Sequence, residues 1–165
     1  MSRIRPDQLL VPSLLDRLLD DEPDALQELP RSRSQRLSDL KLSVRRDLEY
    51  LLNTRICLRE LPEDSEQVKT SVLNYGIPDF SGIAMGSREQ QETLRSRVED
   101  AILRFETRFK HVRVELVLDA DSRLQRMIRF RIDGVLHAEP APEAVTFDSF
   151  VTPTIGQFQV RATDI

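Results

Sequence analysis

Apolar residues recur at three- and four-residue intervals through most of the first two thirds of the chain and at every second position through much of the last third. This order predicts helices first and strands afterwards. Leu14, Leu15, Leu18 and Leu19 form one apolar stripe within residues 11–20, a short amphipathic helix. The stretch from Pro30 to Ser38 places Arg31, Arg33 and Arg36 among serines and reads as a loop or mobile linker. From Ser38 to about Thr54, Leu40, Val44, Leu48, Leu51 and Leu52 line one face of a long helix, with Lys41, Arg45, Arg46 and Glu49 facing away.

Val68, Val72 and Leu73 predict a further short helix. Tyr75-Gly76-Ile77-Pro78-Asp79-Phe80 then stops it, because Gly76 can take positive φ and Pro78 holds Ile77 extended. Ser87-Arg88-Glu89-Gln90 matches a capping box, and Leu94, Val98, Ala101, Ile102 and Phe105 give the second long helix its buried stripe. Beyond Phe109 the period becomes two. Val112, Val114, Leu116 and Leu118 form one strand and Ile128, Phe130 and Ile132 the next, joined across a turn at Asp119-Ala120-Asp121-Ser122. Gly134 is expected to break or bulge that second strand. Val145–Phe150 and Phe158–Ala162 add two more strands. The expected fold is α+β, with N-terminal helices packed on a mainly antiparallel C-terminal sheet of about four strands. Residues 1–37 are expected to form an amphipathic helix and linker, and 38–165 a single domain.

Composition narrows the chemistry. The chain has 165 residues, 24 Lys and Arg against 28 Asp and Glu, and a net charge of -4. With 32% charged residues, 5% aromatic and no Trp, it should have a solvated surface and an aliphatic core. Its one cysteine, Cys57, reads as a small buried hydrophobe in a reducing, cytoplasmic setting. No stretch approaches the ~20 apolar residues of a membrane span. His111, His137 and Cys57 match no zinc spacing, and the five glycines form no phosphate loop, so no metal or cofactor is expected. Nucleic acid is not an expected ligand, because the arginine clusters carry no interleaved aromatics and the chain is acidic. Paired acids for a glycosidase are the remaining enzymatic option. Glu99 and Glu106 share a helix face, but their rise of roughly 10 Å slightly exceeds the useful separation, and catalytic residues are expected to be none.

Four segments in order carry a resemblance: Ser13–Leu18, Ser43–Arg55, Tyr75–Phe80, and the helix ending Phe105-Glu106-Thr107-Arg108-Phe109. Together with Phe130–Gly134 they resemble the TssE family of type VI secretion baseplate subunits. That family is grouped with the wedge proteins of contractile phage tail baseplates and often labelled lysozyme-like. The resemblance implies a structural, non-enzymatic role in the baseplate wedge beside TssF, TssG and TssK, docked in the cytoplasm on the inner-membrane complex. It also implies a sheet that accepts strands from neighbours and templates a sheath of TssB and TssC. A lysozyme-like glycoside hydrolase acting on peptidoglycan, and the equivalent part of a phage tail or other contractile injection system, are the alternatives. The family's Glu-Pro-Arg motif falls on Glu106, Thr107 and Arg108, with threonine in place of proline. The implied partner-binding residues are Glu106 and Arg108, while Leu14, Leu15, Leu18 and Leu19 either pack on the domain's own core or form a helix that docks in a groove of another subunit, the polar tether favouring docking.

Overall fold

In the computed structural model, residues 14–18, 32–56, 66–80, 87–117, 127–138, 141–152 and 155–163 are described. Cys57, the Pro62–Ser65 cluster, Leu19, Leu118 and the Asp119–Ser122 turn lie outside these residues. The chain order is helices α1 (Leu14–Leu18), α2 (Arg33–Asn53), α3 (Glu66–Lys69), a 3-10 turn at Val72–Asn74, and α4 (Arg88–Phe105). Strands β1 (Phe109–Val117), β2 (Ile128–Leu136), β3 (Glu143–Thr152) and β4 (Gln157–Ala162) follow. The architecture is α+β, as the periodicities predict.

Helix α2 starts earlier than expected. Ser32 caps it, with its Oγ accepting from Gln35 N at 3.3 Å while Gln35 Oε1 accepts from Ser32 N at 2.7 Å. This reciprocal box satisfies two end donors, so Arg33 and Arg36 are helical and not part of a linker. At α4, Ser87 Oγ accepts from Gln90 N at 3.2 Å, so the cap that Ser87 signals does form. Val72 and Leu73 are exposed, so the short segment between the long helices contributes its core residues from elsewhere, namely Ile77 and Phe80.

The four strands form an antiparallel meander in the order β1-β2-β3-β4, leaving β1 and β4 as its edges. Helices α2 and α4 cover one face, α4 against β1 and α2 against β4, and pack against each other. Val44, Leu48 and Leu52 of α2 and Val98 and Ile102 of α4 are fully buried against Phe130, Ile132, Phe147 and Phe158. Each such side chain contributes about 1.5–3 kcal/mol by leaving water.

Gly134 does not interrupt β2. It pairs with Val112 on one side and Val145 on the other, and the irregularity sits in β1 between Phe109 and His111. A Cβ at Gly134 would stand 2.6 Å from Phe109 Cδ1, so glycine here makes room for the aromatic ring. Gly76 does take positive φ, at 112°. The turn it allows lets Ile77 N donate to Thr54 O at 3.0 Å and Ile77 O accept from Ile56 N at 3.1 Å, tying the loop to the end of α2.

Candidate partner-binding site

Glu106 caps the C-terminus of α4 and begins the turn into β1. Its backbone N–H donates to Ile102 O at 2.9 Å, and its carboxylate folds over the turn, Oε1 accepting from Arg108 N at 3.1 Å and Arg108 Nε at 2.8 Å. The second carboxylate oxygen meets the same guanidinium. The carboxylate thus clamps directly the turn that carries Thr107.

Arg108 reaches beyond the turn to α2. Nη1 donates to Ser43 Oγ at 2.8 Å and Nη2 pairs with Asp47 Oδ2 at 2.6 Å. The chain of contacts then returns through α1. Asp47 Oδ1 accepts from Arg46, Arg46 Nη2 pairs with Asp16 Oδ1 at 2.6 Å, and Ser43 Oγ donates to Asp16 Oδ2 at 2.6 Å. Four charged side chains, Arg108, Asp47, Arg46 and Asp16, and the Ser43 hydroxyl thus close a ring joining α1, α2 and the α4–β1 turn, with Glu106 bound to it through Arg108. Bidentate, charge-assisted contacts of this kind fix geometry strongly.

The electrostatics follow from burial. Glu106 is 8% exposed and the Arg108 side chain 20%, so a buried carboxylate meets a half-buried guanidinium and the pair is not a freely solvated one. Burial disfavours the Arg108 charge, but the hydrogen bonds and charges of Glu106 and Asp47 outweigh it and hold its pKa above the ordinary value. The hydrogen bond to Asp16 raises that of Arg46. Tyr75 is pushed up mainly by burial, with help from the negative charges of Asp47 and Glu106.

Above this ring opens a cleft of about 340 Å³, lined by Leu15, Tyr50, Leu51, Tyr75, Phe105 and the three charged residues Asp47, Glu106 and Arg108. Tyr75 and Phe105 meet edge to face with centroids 5.3 Å apart. Tyr50 is 61% exposed at the rim.

The leucine stripe divides here. Leu15 faces the cleft yet stays 49% exposed, and Leu18 is 80% exposed. Among the described side chains, the polar Asp16 attaches α1 to the body, bonded to Ser43 and Arg46. Leu14 lies in α1 with its side chain outside the described set, as does the whole of Leu19. The structure thus brings Leu15, Glu106 and Arg108 to one cleft and leaves Leu18 outward beside it.

Several participants were not singled out from the sequence. Asp16, Ser43 and Asp47 join the network, and Arg46, expected to face solvent, is an internal ligand. A signal for them existed: Ser43 and Asp47 stand one turn apart, and Ser43 sits directly beside the buried Val44. A hydroxyl on the buried side of a helix implies a buried partner. Arg45 is also turned inward, donating to Val160 O at 3.4 Å.

The two acids weighed as a glycosidase pair are engaged separately. Glu106 is clamped to Arg108. Glu99 Oε2 pairs with Arg95 at 3.0 Å and accepts from Val114 N at 2.8 Å. Among the described residues no group of three or more His, Cys, Asp or Glu is arranged to hold a metal ion, and no helix is long and apolar enough to cross a membrane.

A family model described as baseplate wedge protein gp25 matches residues 38–141, well over half of the chain. No curated protein and no solved structure matches it significantly. The matched span runs from early α2 to just before β3, and so contains both Glu106 and Arg108 and their anchors Ser43 and Asp47.

Proposed function

Because the chain belongs to the baseplate wedge protein gp25 family, we propose that it is the corresponding structural subunit of a type VI secretion baseplate. In this reading it works by protein contacts in the cytoplasm, where the baseplate docks on an inner-membrane complex. It binds the wedge subunits TssF, TssG and TssK, and its sheet receives strands from the sheath proteins TssB and TssC, so that the first sheath ring is templated on it.

The observation that carries this reading is the cleft at the α4–β1 turn. It combines aromatic and aliphatic walls with a rigid charged floor, and α1 presents Leu18 beside it with no cover from the described chain. An apolar helix face next to a preformed groove is the arrangement expected of a subunit that docks helices. Within it, Leu14, Leu15, Leu18 and Leu19 make the direct contacts, and Glu106 with Arg108 acts by holding the floor in shape.

The test is co-purification. A tagged chain expressed in its own host is expected to recover wedge and sheath subunits, identified by mass spectrometry, after mild crosslinking. The variant Leu15→Gln with Leu18→Glu should lose the wedge subunits while its circular dichroism and melting temperature change little, since Leu18 is 80% and Leu15 49% exposed and no charge is added beside Asp47 and Glu106. Recovery of no wedge or sheath subunit by the unaltered chain would overturn the function; equal recovery by the variant would overturn the role of α1.

A further inference from the structure

Both edges of the sheet are guarded by side chains from the helices above them, but unequally. On β4, Asn53 takes both outward groups of Phe158: Nδ2 donates to Phe158 O at 2.9 Å and Oδ1 accepts from Phe158 N at 2.9 Å. A carboxamide used this way imitates a neighbouring strand, and Asn53 Nδ2 is further held by Glu49 O at 2.9 Å. Arg45 covers the next outward carbonyl, Val160 O. On this six-residue strand, both outward groups of Phe158 and the carbonyl of Val160 are therefore occupied.

On β1 the guard is lighter. Val114 N donates to Glu99 and Val114 O accepts from Arg95 Nη1 at 3.1 Å, so the outward groups of β1 belong to Val112, Val114 and Leu116. Among the described residues, side chains cover only the central one of the three, on a strand of nine residues. Its covers are two charged side chains that bond each other and are partly in water, so they can swing away from the strand and remain paired.

The outer face of the sheet supplies the second half of the argument. Glu115, Arg131, Asp148 and Arg161 stand directly opposite one another across all four strands, alternating in sign. In the row beside them Arg113 faces Asp133. Opposite charges placed directly across strands stabilise pairing and like charges oppose it. At the β1 edge this leaves Arg113 and Glu115 exposed at the end of both rows, paired with each other along the strand at 2.9 Å, an exposed contact of little strength that an entering strand's charges can replace.

We infer that β1 is the edge that accepts an added strand, an antiparallel segment of another protein carrying a cation and then an anion two residues later, with Arg95 and Glu99 released from Val114 as it enters. The cation lies opposite Glu115, the anion opposite Arg113, and apolar residues lie opposite Val112, Val114 and Leu116. The inference rests on the reading that this sheet receives strands. The order Arg113-Val114-Glu115 is itself cation then anion, so β1 could pair with a second copy of itself; covering Val114 opposes that outcome, in line with the need of soluble sheets to protect their edges.

The experiment uses the full chain, labelled with nitrogen-15, and a capped probe peptide with the core Val-Lys-Val-Glu-Val, added to millimolar concentration. Amide exchange is expected to slow at Val112 and Leu116 and not at Val160 or Ala162. The reversed core Val-Glu-Val-Lys-Val should bind more weakly. Glu99→Ala should bind the probe roughly tenfold tighter, the factor for removing one competing charged hydrogen bond, and Glu99→Gln, which keeps the acceptor, should stay near the unaltered chain. Protection at β4 would overturn the choice of edge and leave the strand-receiving function standing. Equal binding of both peptides would overturn the charge order. Protection at neither edge would overturn the inference together with strand reception, while the docking role of α1 would stand on its own co-purification test. Concentration-dependent protection of β1 without peptide would make a second copy the occupant and also overturn the inference.

Discussion

Replacing Arg108 by methionine would keep the aliphatic stem and remove the guanidinium that links Glu106, Asp47 and Ser43. Glu106, 8% exposed, would then be left as a buried carboxylate with no cation within its turn. Removing one member of a buried ion pair lowers stability by about 3–5 kcal/mol in fully buried cases. Arg108 keeps 20% of its side-chain surface and Asp47 26%, and Asp47 retains Arg46, so the lower end applies. The expected loss is about 3 kcal/mol, which for a domain of this size lowers the melting temperature by roughly 6–12 °C. Thermal and urea denaturation followed by circular dichroism measure it. The double variant Arg108→Met with Glu106→Gln should recover part of the loss, because the stranded charge is gone, giving a coupling energy above ~1 kcal/mol. The loss should also change little between about 0.05 and 0.5 M salt, because buried pairs are weakly screened. A loss below about 1 kcal/mol, or one that vanishes with salt, would show that the pair behaves as an exposed one and would refute the reasoning. For the same reason, exchanging the charges of Glu106 and Arg108 is a poor test of assembly, since it perturbs the fold first; Leu15 and Leu18 are the cleaner positions.

Two further outcomes follow from the packing and the titration of the cleft. Gly134→Ala should lower stability by about 1–3 kcal/mol, because the new methyl overlaps the Phe109 ring and forces it to shift; a denaturation midpoint equal to that of the unaltered chain would show that the ring moves freely. Tyr75 has its folded pKa raised above the ordinary 10.0, so its contribution is fully present below that pH and is lost as pH rises through the folded value. The Tyr75→Phe variant should therefore lose less stability than the unaltered chain above about pH 10, measured by urea midpoints across the alkaline range; parallel curves would remove Tyr75 from the account.

What the sequence determined by itself was the set of elements and their faces. The spacing of Val44, Leu48, Leu51 and Leu52, of Leu94, Val98 and Ile102, and the alternation through Ile128, Phe130 and Ile132 all reappear as buried rows, because burial of a regular element imposes its own period on the side chains. Where local signals compete, the pattern misled. The serines and arginines before Ser38 read as a linker, yet the Ser32–Gln35 box outweighs their polarity and starts the helix. Gly134 reads as a strand breaker, but its strand is held from both sides and the glycine serves a ring that comes from a different strand. Tertiary structure alone decided the site. Glu106 and Arg108 stand two apart in sequence, where the resemblance marks them as partner-binding, and only the placement of α2 beneath the turn buries Glu106 and adds Ser43 and Asp47 to the pair. Arg45 and Asn53 meet β4, and Arg95 and Glu99 meet β1, for the same reason: an edge strand needs partners for its outward backbone groups, and which helix stands over which edge is set by packing between segments far apart in the chain, which no local spacing records.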